Sequence, residues 1–390
     1  MEQSASVNEA VRIMNGFARD TGITPGRPAR RYLWTDAFAV CNFLELRRLT
    51  GDETYADLAT RLVDQVHSVL GRHRPDDARK GWISGLSEEE GRKHPTRGGL
   101  RIGKGMNERK EDEAYDEQLE WDRDGQYYHY LTKWMVALDR ASQALRDTRY
   151  LRWAVELAQS AHAAFVYDVW PGGEKRMAWK MSIDLTRPLV PFMGAHDPLD
   201  GLVTLSELEW DAPRDCERSS WPGLGKEIAE LARLCEGMRF VTEDPLGIGG
   251  LLTDAWRSVR LVIQGDAAKE ELALELLAAA RPSLEAYEKN PATRLPAQYR
   301  LAFRELGLSL GLRAVERLQE SVAEEEARFR DSRAVKAGAE SLERFLPLAG
   351  TIEAFWLDRE NQGVSTWNDH LDINRVMLAS SLIPGGYLAA

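Results

Sequence analysis

Histidine is the side chain whose ordinary pKa lies closest to neutral pH. Three of the seven in this chain, His129, His196 and His370, each lie within five residues of a carboxylate. The segment LEWDRDGQYYHYLTKW carries Trp121, Asp124, Tyr128 and His129. GAHDPLDGL carries His196, Asp197 and Asp200, and STWNDHLDINR carries Trp367, Asp369, His370, Asp372 and Arg375. Trp34 with Asp36, and Asp254 with Trp256 and Arg257, form two smaller groups. Two chemistries use such sets. Hydrolysis of a glycosidic bond needs one protonated carboxyl group and one carboxylate across the bond, and Asp36, Asp124, Asp197 and Asp254 are candidates. Epimerisation or isomerisation of a sugar needs two acid/base groups near neutral pH. His196 and His370 suit that role, with Arg257 or Arg375 holding a developing oxyanion. The indole faces of Trp34, Trp121, Trp256 and Trp367 suit the C–H surface of a sugar. Tyr128, His129, Asp197, Asp372 and Arg375 would supply its hydrogen bonds. Each feature has a competing structural explanation. An Asp at a helix start caps exposed backbone N–H groups, and a His on an aromatic face is often a hydrogen-bonded core residue.

Helical periodicity dominates the chain and would position these groups. Residues 32–46 are too apolar for a surface helix, whereas 54–70 place Tyr55, Leu58, Ala59, Leu62, Val66 and Leu70 on one face. The pairing recurs: 127–145 is apolar and aromatic, and 149–166 is amphipathic. The turns align, with Asp52-x-x-Tyr55-x-x-x-Ala59 matching Asp147-x-x-Tyr150-x-x-x-Ala154. The Asp suits an N-cap, and the Tyr and Ala fall four apart on the inward face. Further pairs are 198–209 with 225–238, 248–264 with 269–277, and 298–319 with 332–345. The remaining helices, 7–19 and 369–382, would form a sixth hairpin. The last is apolar, which disfavours a polar cap on an open solenoid.

The chain thus reads as one all-α domain over 1–390, an (α/α)6 toroid with inner helices at about 32–46, 127–145, 198–209, 248–264, 298–319 and 369–382. Long connections at 71–126, 167–195 and 347–368 all precede inner helices and would gather at one mouth. Residues 176–185 would form a short strand or hairpin there. Structureless connections of such length are uncommon unless functional or disordered, and their tryptophans argue against disorder.

Bulk properties narrow the partners. The formal charge of -11, from 62 acidic against 51 basic residues, argues against a nucleic-acid binder. No segment reads as a secretory signal or a membrane span. Cys41, Cys216 and Cys235 are an odd number without CxxC spacing, which argues against a disulfide framework or a cysteine zinc site. A cytoplasmic protein without cofactor or metal, taking a small sugar-like ligand, is the expectation. Gly98-x-x-x-x-Gly103-Lys104 nearly matches a phosphate-binding loop, but Gly105 follows where Ser or Thr would hold magnesium. A flap with Arg97, Arg101 and Lys104 would meet an anion. The acidic run 108–120 lacks calcium-loop spacing and reads as a solvated loop.

The hairpin repeat, its closing pair, and the segments WDRDGQYYHYLTKW and WNDHLDINR resemble the six-hairpin glycosidase superfamily. That superfamily includes unsaturated glucuronyl hydrolases, bacterial mannanases, and the N-acylglucosamine and cellobiose 2-epimerases. The resemblance implies the toroid and a site where the inner helices start. His370 resembles a catalytic His on the last inner helix of the epimerases, and His196 a pocket His on their third. Their fourth inner helix also carries a His, whereas GIGGLLTDAWRSV has none; nor does an Asp-Asp pair open an inner helix, as in the mannanases. Asp36 and Asp124 would imitate the two aspartates of the glucuronyl hydrolases. The reading that follows is a glycoside hydrolase with Asp124 and Asp36 as the carboxyl pair and His129, His196 and His370 orienting substrate. The alternatives are a 2-epimerase or isomerase using His196 and His370, and a non-catalytic binding or scaffold protein of the same fold.

Overall fold

The computed structural model describes residues 2–170, 173–194, 196–213, 221–290 and 294–389, with side chains from residue 4 onward. It is mostly helical, 65% helix against 5% strand, with helices packed on one another. No described helix is long and apolar enough to cross a membrane. The chain divides into two compact units. One comprises Ala18–Arg47 and Gly51–Glu236; the other comprises Met1–Phe17, Arg48–Thr50 and Gly237–Ala390.

The first unit holds most of α2 (Leu33–Thr50), then α3 (Thr54–Leu70), α4 (Glu88–Lys93), α5 (Glu117–Asp122), β1 (Gln126–Tyr127), α6 (Tyr128–Leu145), α7 (Thr148–Phe165), β2 (Val166–Asp168), β3 (Lys175–Met177), β4 (Lys180–Met181), β5 (Pro188–Val190), α8 (Asp197–Asp211) and α9 (Gly225–Cys235). Helix α2 is buried on every side from Leu33 to Leu46, which explains why its sequence shows no polar face. The next helix, α3, is amphipathic, as its charges require. Helix α6 packs on α7 and α8, and α8 on α9. The repeated Asp does the same local work twice. Asp52 accepts from the Thr54 backbone N–H at 2.9 Å, and Asp147, the N-cap of α7, from that of Arg149 at 3.0 Å. Tyr55, Ala59, Tyr150 and Ala154 are all buried, as their spacing predicts. The expected hairpin after α7 exists as two small antiparallel sheets. In one, β2 pairs with β3; in the other, the order is β1-β4-β5, which sets Tyr127 opposite Lys180.

The second unit holds most of α1 (Glu2–Asp20) and α10 (Pro245–Gln264), α11 (Lys269–Lys289), α12 (Ala302–Glu324), α13 (Ser332–Glu340), α14 (Pro347–Leu357), α15 (Arg359–Gln362), α16 (Ser365–Asn368), α17 (Leu371–Leu382) and α18 (Gly385–Leu388). Two sequence expectations fail here. Residues 347–368 are three helices, not a long loop. Pro347 occupies the first turn of α14, where its missing N–H costs nothing, and Ala349, Ile352, Glu353 and Trp356 then line its buried side. Helix α11 also runs on past Leu277, through Pro282, to Lys289.

Helices α10 and α12 approach closely because glycines face each other. A Cβ on Gly249 would stand 2.1 Å from the Gly307 carbonyl oxygen, and one on Gly311 would stand 2.7 Å from the Gly249 Cα. Backbone cannot step aside as a flexible side chain can. Gly249→Ala is therefore expected to force the helices apart and lower the unfolding free energy by about 2–4 kcal/mol. Gly250, with nothing within 4 Å of such a Cβ, is the matched control. Gly250→Ala should be neutral or stabilising by up to about 1 kcal/mol through helix propensity. Equal denaturation midpoints for the two variants would contradict the close-approach argument.

Candidate functional site

Four consecutive ring-bearing residues, Tyr127 to Tyr130, span the junction where strand β1 ends and helix α6 opens. Strand pairing holds Tyr127 against β4, and the turn into the helix then fans the next rings outward. Tyr128 points into the core. It is fully enclosed, its ring lies edge-on to Phe165 at 5.4 Å, and the position of its hydroxyl leaves no room for a Cβ on Gly201. Tyr127, His129 and Tyr130 instead join Tyr32, Trp121 and Trp179 in one aromatic basin. His129 is stacked near-parallel on Tyr127 and Trp179 and edge-on to Tyr130. Trp121 meets Trp179 at 5.1 Å and is half exposed, and the Tyr32 and Tyr130 hydroxyls bond at 2.7 Å.

The polar groups around this basin are incompletely satisfied. The His129 Nδ1 lies 3.4 Å from an Asp197 oxygen, longer than a good hydrogen bond. That nitrogen, Asp197 Oδ2 and the Tyr127 hydroxyl are all buried without a hydrogen-bond partner, as is the core-facing hydroxyl of Tyr128. A buried polar atom left unpaired costs about 1–3 kcal/mol, so four on neighbouring residues call for a reason. The His129 side chain is 29% exposed even though its Nδ1 is enclosed; a carboxylate at Nδ1 would favour the tautomer that leaves Nε2 as a base. Burial pushes the Tyr127 and Tyr128 hydroxyls well above the ordinary tyrosine range, so both stay protonated donors. Lys104 sits over the Tyr127 ring at 5.3 Å. Desolvation, aided by the charge of Lys180, lowers its pKa to about 8.

The two aspartates expected to do hydrolysis are placed otherwise. Asp124 is fully buried and its carboxylate is saturated. One oxygen takes Arg101 at 2.6 Å and Arg74 at 3.4 Å; the other takes the Gly103 and Gly125 backbone N–H groups at 3.0 and 3.1 Å. Asp36, at the start of α2, accepts the Tyr32 N–H at 2.9 Å and faces the Arg31 guanidinium at 3.5 Å. Both carboxylates are thus engaged by arginine side chains and backbone N–H groups. Trp34, beside Asp36, is buried and packed on Phe38 at 4.5 Å. His196 occupies the N-cap position of α8, one residue before Asp197. Asp200 is held by the Thr132 hydroxyl and by Lys133 at 2.7 Å.

The remaining candidates belong to the second unit. Trp256 is buried and donates to the Leu388 carbonyl at 2.8 Å, and Arg257 is buried with Asp254 at 3.0 Å. Trp367 is buried and stacked on Trp356. Asp372 pairs with Arg375 at 2.7 Å along α17, while His370 is exposed, edge-on to Phe303.

The glycine-rich stretch at 98–104 is not a phosphate cradle, because its geometry is spent internally. The Leu100 N–H goes to the Gln126 amide at 2.8 Å and that of Gly103 to Asp124. A Cβ on Gly99 would stand 2.0 Å from Gln126 Oε1, and one on Gly103 would stand 2.3 Å from the Arg31 carbonyl oxygen. Arg101 is buried on Asp124, so it is no open flap. Nor is the acidic run simply solvated. Glu120 is buried with Lys180 at 2.9 Å and Arg109 at 3.0 Å, and Glu108 takes Arg79. Among the described residues no group of three or more His, Cys, Asp or Glu is placed to hold a metal ion. Of the cysteines, Cys41 and Cys235 form no disulfide among the described residues; Cys216 lies outside the described residues.

Sequence reasoning missed Tyr32, Tyr130, Trp179 and the two lysines as basin residues. The available signal was the adjacent Trp179 and Lys180 inside the segment expected to form a strand or hairpin; Trp179 stands just before β4 and Lys180 opens it. Compared with protein-family models and with curated proteins, the sequence of the chain matches none of them.

Proposed function

We propose that the chain is a carbohydrate-active protein of the six-hairpin kind, its hairpins arranged as an (α/α)6 toroid, with a sugar-type ligand seated in the aromatic basin at the start of α6. The observation that carries the reading is the set of unpaired buried polar atoms at Tyr127, His129 and Asp197 beside the partly open rings of Trp121 and Trp179. A polyol brings both surfaces such a basin lacks: hydroxyls for the unpaired atoms and C–H faces for the indoles. Proton transfer by His129, oriented by Asp197, fits this geometry better than hydrolysis by Asp36 and Asp124, since the Asp124 carboxylate is already taken by cations and backbone donors and Asp36 by the Tyr32 N–H beside the Arg31 guanidinium.

Calorimetry with mono- and disaccharides and uronic acids tests binding, and NMR in D2O tests exchange of a sugar C–H. A ligand should bind the wild-type protein. His129→Ala and Asp197→Asn should each weaken that binding roughly tenfold, the cost of about one hydrogen bond to a charged group. Any exchange should fall by about 10²–10⁴-fold in His129→Ala. Binding that survives both substitutions, or no sugar bound at all, overturns the reading; binding without exchange leaves the sugar site and removes the proton transfer.

A further inference from the structure

Lys104 and Lys180 flank one ring, at 5.3 and 5.5 Å from the centre of Tyr127, yet they are held differently. The Lys180 ammonium spends its three donors on the Glu120 carbonyl, the Glu120 carboxylate and the Arg123 carbonyl, at 2.6, 2.9 and 2.8 Å. Lys104 donates to the Trp121 carbonyl and lies over the Trp121 and Tyr127 rings; among the described residues no carboxylate pairs with it. Its neighbour Gly105 is exposed, with nothing within 4 Å of where a Cβ would stand. The Tyr127 hydroxyl, buried and unpartnered, is a donor at the same ring. We propose that Lys104 is a carbonyl-capturing amine that forms an imine with an aldehyde, such as an open-chain aldose, in the aromatic basin. The inference rests on the basin proposed above as the ligand site.

The neutral Nζ attacks the carbonyl carbon, and the C=O π pair moves to oxygen, which takes up the proton released by nitrogen. The resulting carbinolamine loses the hydroxyl with a second nitrogen proton as water, leaving C=N. No oxidant or reductant enters. A lysine desolvated on aromatic faces beside a second cation is the setting that frees an amine for this attack near neutral pH, and the lowering of Lys104 to about 8 agrees with it.

Glycolaldehyde with cyanoborohydride, followed by peptide mapping, tests the proposal on the full chain. At pH 7 Lys104 should be alkylated roughly tenfold or more faster than exposed lysines, whose pKa is about 10.4. Its rate should reach half-maximum near pH 8. Lys104→Arg, which keeps the cation, should lose that adduct alone. A Lys104 rate no greater than that of exposed lysines, or one that climbs only towards pH 10, overturns the proposal. Should Lys104→Arg not fold, the site-resolved wild-type rate decides by itself. Because labelling is read without any sugar-binding assay, a reactive Lys104 in a protein that binds no sugar would refute the sugar reading while keeping the amine. Sugar binding with an inert Lys104 would do the reverse.

Discussion

Asp124→Ala is expected to lower the unfolding free energy by about 3–5 kcal/mol, the typical cost of removing one partner from a buried ion pair. The guanidinium of Arg101 would stay behind, buried, with Nη1 facing the vacancy; its other nitrogens are fixed on the Arg72 and Val69 carbonyls at 2.7 Å each, so it cannot readily swing to water. The N–H groups of Gly103 and Gly125 would lose their acceptor as well. Asp124→Asn should be nearly as costly, since one amide group cannot accept from all four donors. Urea denaturation of the two variants measures this directly. A catalytic aspartate behaves in the opposite way: its removal abolishes turnover and leaves the midpoint in place. Unchanged midpoints would therefore return Asp124 to the catalytic role that its sequence context suggests.

That contrast shows why the helices were legible in the sequence and the site only partly so. Hydrophobic periodicity marks a helix face because burial is a sum over many residues; α3 was delimited to the residue, and α2 was recognisable as buried from its lack of a polar side. The turn Asp of α7 was legible because capping is local chemistry, decided within three residues. What a buried carboxylate does depends instead on donors far away in sequence. Nothing near Asp124 announces Arg101 or Arg74, 23 and 50 residues earlier. The glycines at 98 and 103 resembled a phosphate loop for the same reason. Their need is set by the Ser84 backbone and by the Arg31 carbonyl, which only the folded chain brings close. Helix α14 was lost to local evidence of the misleading kind: Pro347 and Gly350 signal a loop unless the proline stands in the first turn. His129 and Asp197 were each picked out by residue type, but their approach to 3.4 Å across 68 positions was not, and the proposed proton transfer rests on that approach.

Acid is expected to destabilise the fold through a histidine outside the basin. His67 on α3 is fully buried, edge-on to the rings of Trp134 and Trp153, and its Nε2 accepts the Trp134 indole N–H at 3.2 Å. Desolvation alone lowers its pKa from 6.5 to about 3. The folded chain therefore keeps His67 neutral between those values, whereas the unfolded chain protonates it. The unfolded state binds the extra proton, so stability falls as the pH drops from about 6.5 towards 3, by about 1.4 kcal/mol per unit. The 3.5-unit gap from 6.5 to about 3 corresponds to about 4–5 kcal/mol in total. Above pH 7 the residue adds no pH dependence. The chain holds six other histidines, so the wild-type curve alone cannot assign the effect. His67→Gln retains an acceptor for the indole and removes the titration. The difference in unfolding free energy between wild type and His67→Gln should be flat above pH 7 and should then decline steadily in favour of the variant as the pH falls. A difference that stays constant down to pH 4 would mean that water or a rearranged Trp134 solvates the imidazolium, and that the α3–α6 contact is looser than its geometry implies.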